Sequence, residues 1–177
     1  MIKLFYSGTY KVRHEMINRD NVLEMLKDDM RSKIVGNVYD TVYASDGIII
    51  KNNKNVMYIG GFYYEKQNEG KSVCENVVFE ELKQIDRCDL IVVNLMNYSA
   101  IASVTEMIYA AYKNKQIEIF CNPNITSYDV CGEYWFPILT AKKLDNNVNV
   151  HFVNNEDEII DFINNLPEEK IKRRRNK

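Results

Sequence analysis

The sequence lacks any long apolar run, and it is poor in cysteine and histidine; each shortage removes a class of protein. No stretch of the 177 residues approaches the roughly 20 apolar residues that a membrane helix needs, and the opening MIKLFYSG has no long apolar region of the secretory kind. A soluble, cytoplasmic protein without a membrane partner is therefore expected. The four cysteines, Cys74, Cys88, Cys121 and Cys131, show no Cys-x-x-Cys spacing, and His14 and His151 lie far apart. No zinc site or other metal site is expected, and reduced thiols are the default. The Gly-x-Gly-x-x-Gly fingerprint of dinucleotide binding is also missing. Formal charge is nearly balanced at −2, and the one dense basic run is the tail KIKRRRNK, 170–177. A run of that kind at a chain end reads as a solvated, frayed terminus, and nothing else in the sequence supports a nucleic-acid partner.

What is present suits one globular domain, 1–167, followed by a basic tail, 168–177: 46% of the residues are hydrophobic, enough for a real core. Runs rich in apolar and β-branched residues predict strands at 3–6, 90–95 (LIVVNL) and 117–121 (IEIFC), with weaker candidates at 41–44, 48–51, 56–59 and 149–153. Helical periodicity marks 18–34, 76–87, 103–113 and 156–166. Strands alternating with helices predict an α/β fold, a Rossmann-like (flavodoxin-like) and mostly parallel sheet with helices on both faces. A hairpin is expected between 41 and 64, turning at 51–55 (KNNKN); Asn122-Pro123-Asn124 and Trp135-Phe136-Pro137 break the pattern, and the segment between them reads as a loop over the strand ends.

One acidic residue stands out after the most strand-like run. Ser103-Val104-Thr105-Glu106 fits a capping box, in which the serine hydroxyl and the glutamate carboxylate satisfy each other's end of a helix start. That accounts for Glu106 with no function at all. The apolar spacing of Val104, Met107, Ile108 and Ala111 predicts a buried stripe with Glu106 roughly opposite it, facing water or a cleft. Position favours the cleft, because ligands of open α/β sheets sit beyond the carboxyl ends of the strands. The helix dipole would also favour a charged carboxylate at a helix start. The first strand runs into Tyr6-Ser7-Gly8-Thr9-Tyr10, where Gly8 serves either a plain turn or a close approach of backbone to a sugar or phosphate. Arg13, His14 and Arg19 read as either phosphate contacts or ordinary surface charge, with the flanking Lys11 and Glu15 favouring a mixed-charge surface.

With these pieces in order, the chain resembles the nucleoside 2-deoxyribosyltransferase family and its nucleotide N-glycosidase relatives. The residues that carry the resemblance are ELKQIDRCDLIVVNL (81–95) and SVTEMIYAAYKNKQIEIF (103–120), with either LFYSGTY (4–10) or MYIGGFYY (57–64) standing for the family's first glycine turn. The resemblance implies that Glu106 is a nucleophile attacking the anomeric carbon of a deoxyriboside. It implies that Glu81, four residues before Ile85, gives the departing base its proton, although the neighbours Glu80 and Lys83 suggest a solvated face there. Tyr6, Gly8 and Thr9 of the first turn, with Asn97, Ser99 and Ser103 after the central strand, would then contact a nucleoside or nucleotide substrate. No cofactor is implied, and a homo-oligomer is, with Trp135 at its rim or interface or in the core. The chain departs from the family pattern in carrying Ala102-Ser103 for Gly-Thr, and Ala100 where an Asp or Ser is usual. Two alternatives stay open: a nucleotide-binding module without catalysis, and an NAD glycohydrolase of the TIR-like kind.

Overall fold

A computed structural model describes residues 1–17, 34–35, 39–42, 47–60, 62–65, 73–96, 100–123 and 134–167. In chain order the elements are β1 (Ile2–Ser7), α1 (Tyr10–Met16), β2 (Ile34–Val35), β3 (Tyr39–Val42), β4 (Ile48–Ile50), β5 (Asn53–Tyr58), β6 (Phe62–Glu65), α2 (Val73–Arg87), β7 (Leu90–Leu95), α3 (Ile101–Tyr112), β8 (Gln116–Cys121), α4 (Trp135–Leu144), β9 (Val148–Phe152) and α5 (Asp157–Asn164). The main sheet has the order β4-β5-β1-β7-β8-β9. All its neighbours pair in parallel except β4, which runs antiparallel to β5. Taken alone, the parallel strands follow the 2-1-3-4-5 order of flavodoxin-like folds, whose switch point falls between β1 and β7. The expected α/β architecture is the observed one.

Alternation along the strands sorts the core into two layers. Leu4, Tyr6, Leu90 and Val92 point to one face, where Val12 and Met16 of α1 and Ile159 and Ile163 of α5 cover them. Phe5, Ile91, Val93, Ile117 and Ile119 point to the other, beneath Ile85 of α2, Met107 and Ala110 of α3, and Ile138 of α4. Every residue of β7 is buried, which is why LIVVNL is apolar on both faces apart from Asn94 near its carboxyl end: a strand covered on both faces has no solvated side. Burying each such Leu or Ile stabilises by about 1.5–3 kcal/mol. Two polar groups set the lower rim. Asp89 accepts the Lys3 N–H at 2.8 Å, tying β1 to β7, and Lys115 Nζ donates to the carbonyls of Asp86 and Cys88 at 2.7 and 3.0 Å, closing the end of α2.

Several elements differ from expectation. The hairpin β4–β5 turns at Lys51-Asn52, so β5 already begins at Asn53, whose side-chain amide donates to the carbonyls of Ile163 and Leu166. Residues 39–42 pair instead with 34–35 and 62–65 in a separate three-stranded antiparallel sheet. Ile34, expected at the end of a helix over 18–34, is in a strand, and the rest of that helix lies outside the described residues, as does the basic tail 168–177. The helices α1 and α4 have no counterpart among the expected elements, and α4 begins at Trp135, where the sequence pattern breaks. Pro137 falls in the first turn of α4, where a missing N–H costs nothing, so it punctuates the sequence without breaking the helix. Among the described residues no helix is long and apolar enough to cross a membrane.

Towards the far edge of the sheet Glu118 is buried on β8, and its carboxylate takes hydrogen bonds from the side-chain amides of Gln116 and Asn149, both at 3.0 Å. It also meets His151 Nε2 at 2.6 Å. Burial alone would raise this acid, but the His151 contact and the two amides outweigh it and hold Glu118 below the usual carboxylate range. Replacing it leaves those partners without an acceptor. Glu118→Ala should therefore cost about 1–3 kcal/mol, measured by urea unfolding as a lowered midpoint with an unchanged m-value.

Candidate active site

The carboxyl ends of β1, β5 and β7 carry the polar residues that the layers above and below cannot absorb. β1 ends in Tyr6-Ser7-Gly8 and its parallel neighbour β5 runs into Tyr58-Ile59-Gly60, with Leu4 opposite Tyr58 and the Ile59 N–H donating to the Leu4 carbonyl at 2.9 Å. In both, the tyrosine folds back beneath the glycine two residues on. A Cβ at Gly8 would lie 2.6 Å from the Tyr6 hydroxyl oxygen and 2.6 Å from Asn94 Cβ, and one at Gly60 would lie 2.7 Å from the Tyr58 hydroxyl oxygen. Both tyrosines are fully buried, so neither can swing aside for a larger residue. The two glycine turns, which the sequence offers as alternatives, belong to one edge. Gly61 lies outside the described residues.

Three helices bring ionisable side chains to this edge. Glu106 is buried, 8% exposed, and accepts a hydrogen bond from the hydroxyl of the fully buried Ser7. Glu81 of α2 is also buried, 6% exposed, and hydrogen-bonds Glu106. Its Oε1 has no hydrogen-bond partner among the described residues. Arg13 of α1, 8% exposed, donates through Nη2 to the Tyr6 carbonyl at 3.5 Å and feels the charges of Glu81 and Glu106. Burial first, and then the charge and hydrogen bond of Glu106, push Glu81 up to about 9 against the pull of Arg13. Burial likewise raises Tyr58 to about 12, so its phenol stays neutral. The resulting group is a pair of buried carboxyl groups, Glu81 favouring its protonated form and Glu106 accepting from the Ser7 hydroxyl.

This geometry corrects four expectations. α3 starts at Ile101, with Ala100 at its N-cap and no side-chain cap, so the Ser103–Glu106 capping box does not form. Glu106 is the sixth helical residue, too far along for the helix end's partial charge to act strongly. The buried face of α3 runs through Ser103, Glu106, Met107, Ala110 and Ala111. Glu106 therefore lies beside the apolar stripe and not opposite it, because the stripe is shifted from the predicted Val104 and Ile108, which are only half-buried. Glu81 and Arg13, read as solvated surface, are both inside.

Of the other expected contacts, Tyr6 and Thr9 join a neighbouring network rather than the carboxylate pair. Glu156 Oε1 accepts from Thr9 Oγ1 at 2.6 Å and from Asn94 Nδ2 at 2.8 Å, and Asn94 Nδ2 also donates to the Tyr6 hydroxyl at 3.0 Å. Ser103 shares the buried face of Glu106 one turn earlier, while Asn97 and Ser99 lie outside the described residues. Trp135 is 42% exposed on α4 and not a core residue. Sequence reasoning passed over Ser7, Arg13, Tyr58, Asn94 and Glu156. The repeated Tyr-x-Gly at two strand ends was the available signal for Tyr58; Arg13 had none, since a lone arginine in a short polar segment looks like surface. Among the described residues no three His, Cys, Asp or Glu side chains come together to hold a metal ion.

No protein-family model matches the chain, and no curated protein does. Among solved structures, the CMP N-glycosidase BcmB of Clostridium botulinum aligns over 91% of this chain and 96% of its own, with 13% identity and a TM-score of 0.46. A similarity of that size carries nothing about activity to this chain, and the functional reading rests on the site itself.

The raised Glu81 has a consequence for stability. Its folded value, about 9, lies above the ordinary 4.5, so between those values the folded protein holds a proton that the unfolded chain has released. Stability contributed by the protonated form is full below the unfolded value and declines as pH climbs towards 9. The melting temperature should fall from about pH 5 to 9 in the native protein, whereas Glu81→Gln, which carries no titrating proton, should show a flatter profile over that window.

Proposed function

We propose that the protein cleaves the N-glycosidic bond of a deoxynucleoside or its monophosphate, as a 2-deoxyribosyltransferase or an N-glycosidase, with Glu106 as nucleophile and Glu81 as general acid. The observation that carries this reading is the buried pair itself: two carboxyl groups in contact at the carboxyl edge of a parallel sheet, one kept protonated, the other held by Ser7. Double displacement at a sugar carbon needs those two states side by side. A Glu106 oxygen attacks C1′ as the C1′–N bond breaks, and the departing base takes the Glu81 proton. Water or a second base then attacks the glycosyl ester from the opposite side. The Glu81 carboxylate receives the proton that the attacker releases, and Glu106 leaves as the free carboxylate.

Retaining pairs usually stand about 5–5.5 Å apart with the sugar between them. Glu81 and Glu106 touch, so a sugar that reaches them replaces their mutual hydrogen bond with its own contacts. Tyr6, Gly8, Thr9, Asn97, Ser99 and Ser103 are the proposed substrate contacts. A homo-oligomer is part of the proposal. It is supported by the apolar side chains of Ile101, Trp135 and Phe136, exposed beside the 2.9 Å bond from the Ala100 N–H to the Tyr134 hydroxyl.

Free-base release from a panel of deoxynucleosides, deoxynucleoside monophosphates, ribonucleosides and NAD, with and without an acceptor base, tests the reading. Glu106→Gln should lower release by about 10³-fold or more. Glu81→Gln should lower it by about 10²–10⁴-fold for ordinary bases, and far less for a 7-methylated purine, whose base departs without needing a proton. Release from NAD alone would favour the NAD glycohydrolase alternative. No release from any of them would leave a binding module.

A further inference from the structure

One turn of chain holds two acidic side chains. The hydroxyl of Ser7 donates to Glu106, and the hydroxyl of Thr9, two residues on, donates to Glu156 Oε1 at 2.6 Å. Two residues of chain span at most about 7 Å, so both acids are gathered at one place on the sheet edge. α3 brings Glu106 from one layer, and the start of α5 brings Glu156 from the other. Between them the Gly8 backbone lies against the Tyr6 hydroxyl and Asn94 Cβ, with no room for a side chain.

Glu156 is the N-cap of α5, yet its side chain makes no cap. That duty falls to Asn155, whose Oδ1 accepts the N–H groups of Asp157 and Glu158 at 3.0 and 3.3 Å. Among the described residues Glu156 makes no ion pair, and Lys11 pairs instead with Asp157 at 3.0 Å. Both donors to Glu156, Thr9 Oγ1 and the buried Asn94 Nδ2, go to Oε1, and Oε2 takes no hydrogen bond from the described residues. A glutamine would accept the same two bonds, so contacts inside the protein account for neither a charge nor a second acceptor oxygen. An ionised carboxylate only accepts. The partner suited to Oε2 on the proposed substrate is a sugar hydroxyl, whereas an anionic phosphate there is repelled.

We infer that Glu156 is a specificity residue whose Oε2 takes the 5′-hydroxyl of the substrate's sugar and whose charge turns away a 5′-phosphate, which makes the substrate a deoxynucleoside rather than its monophosphate. This deepens the proposed activity and rests on it for the placement of the sugar. With C1′ at the buried Glu106, the exocyclic 5′-hydroxyl is the one that reaches out beyond the ring, and the half-buried Glu156 is the acid nearer solvent. Glu156 acts on which substrate is held and not on the reacting atoms.

The native protein and Glu156→Gln are each given the deoxynucleoside and the 5′-monophosphate of every common base. For a pair that is cleaved, preference is the ratio of the two kcat/KM values; for a pair that is not, it is the ratio of dissociation constants from calorimetry. The native protein should prefer the deoxynucleoside by about tenfold or more. Glu156→Gln keeps the oxygen that Thr9 and Asn94 use and drops the charge, so it should lose about tenfold of that preference, while Glu156→Asp should retain it. A merely structural role lowers both members of a pair together and leaves the ratio alone. A native preference for the monophosphate, or a ratio that Glu156→Gln does not move, overturns the inference. Where Glu156→Gln does not fold, the native protein decides by itself. A 2′,5′-dideoxynucleoside should lose about tenfold or more against its parent and a 2′,3′-dideoxynucleoside far less; equal losses or the reverse order overturn the inference. Binding without base release would sink the proposed activity and leave the hydroxyl subsite standing, and neither binding nor release with any pair would overturn both.

Discussion

A charge taken out of water has to be answered nearby, and the arrangement at the upper edge of this sheet follows from that constraint. Arg13, Glu81 and Glu106 come from three helices, α1 in one layer and α2 and α3 in the other. They converge because the chain changes layers between β1 and β7, so helices leaving those strands pass over opposite faces while their beginnings stay close. Neither layer alone could bring them together. Ser7 completes the set from the strand itself: its side chain points to the α3 layer as Phe5 does, whereas Tyr6 points to the α1 layer. Strand alternation thus delivers a donor to each side of the same edge.

Two buried glutamates of the same chain show how environment separates structure from chemistry. Glu118 is surrounded by partners for its charged form, two amides and His151, and is held low. Such a carboxylate is satisfied in place and ties β8 to β9. Glu81 Oε1 has no partner among the described residues, and burial first and then the neighbouring acid Glu106 favour its protonated form. A group that retains a proton near neutrality beside a second carboxyl has something to give to a departing base.

The fold was legible where a single physical cause dominated the sequence. The apolar run of β7 and the alternation of strands with helices gave the parallel order, since a strand buried on both faces cannot hide its composition. The small antiparallel sheet was not legible as such, because strands of two and four residues are too short to leave a periodic trace, and β3 finds its second partner, β6, well beyond its sequence neighbour β2. Glu106 was picked out for its place after the central strand, but the reason offered for it was wrong at the local level. Ser-x-x-Glu is a real capping pattern, and only the helix start at Ile101 shows that it is not used. The local sequence hid the burial of Arg13 and of Glu81, the latter named through the resemblance alone, for a common reason. Charged neighbours in sequence suggest a solvated face, and burial of a charge is decided by partners from other elements that no local window contains.

The division of labour between the two glutamates follows from their donors. A hydroxyl donates more strongly to a carboxylate than to a neutral acid, and the Ser7 hydroxyl points to Glu106. Glu81 has no such donor at Oε1 among the described residues, and burial holds its carboxyl in the protonated form. Under the proposed function, a displacement at a sugar carbon would then give attack to Glu106 and proton delivery to Glu81. Exchanging those roles would require the proton to sit on the carboxylate that Ser7 serves, leaving the charge on the one whose Oε1 nothing answers among the described residues.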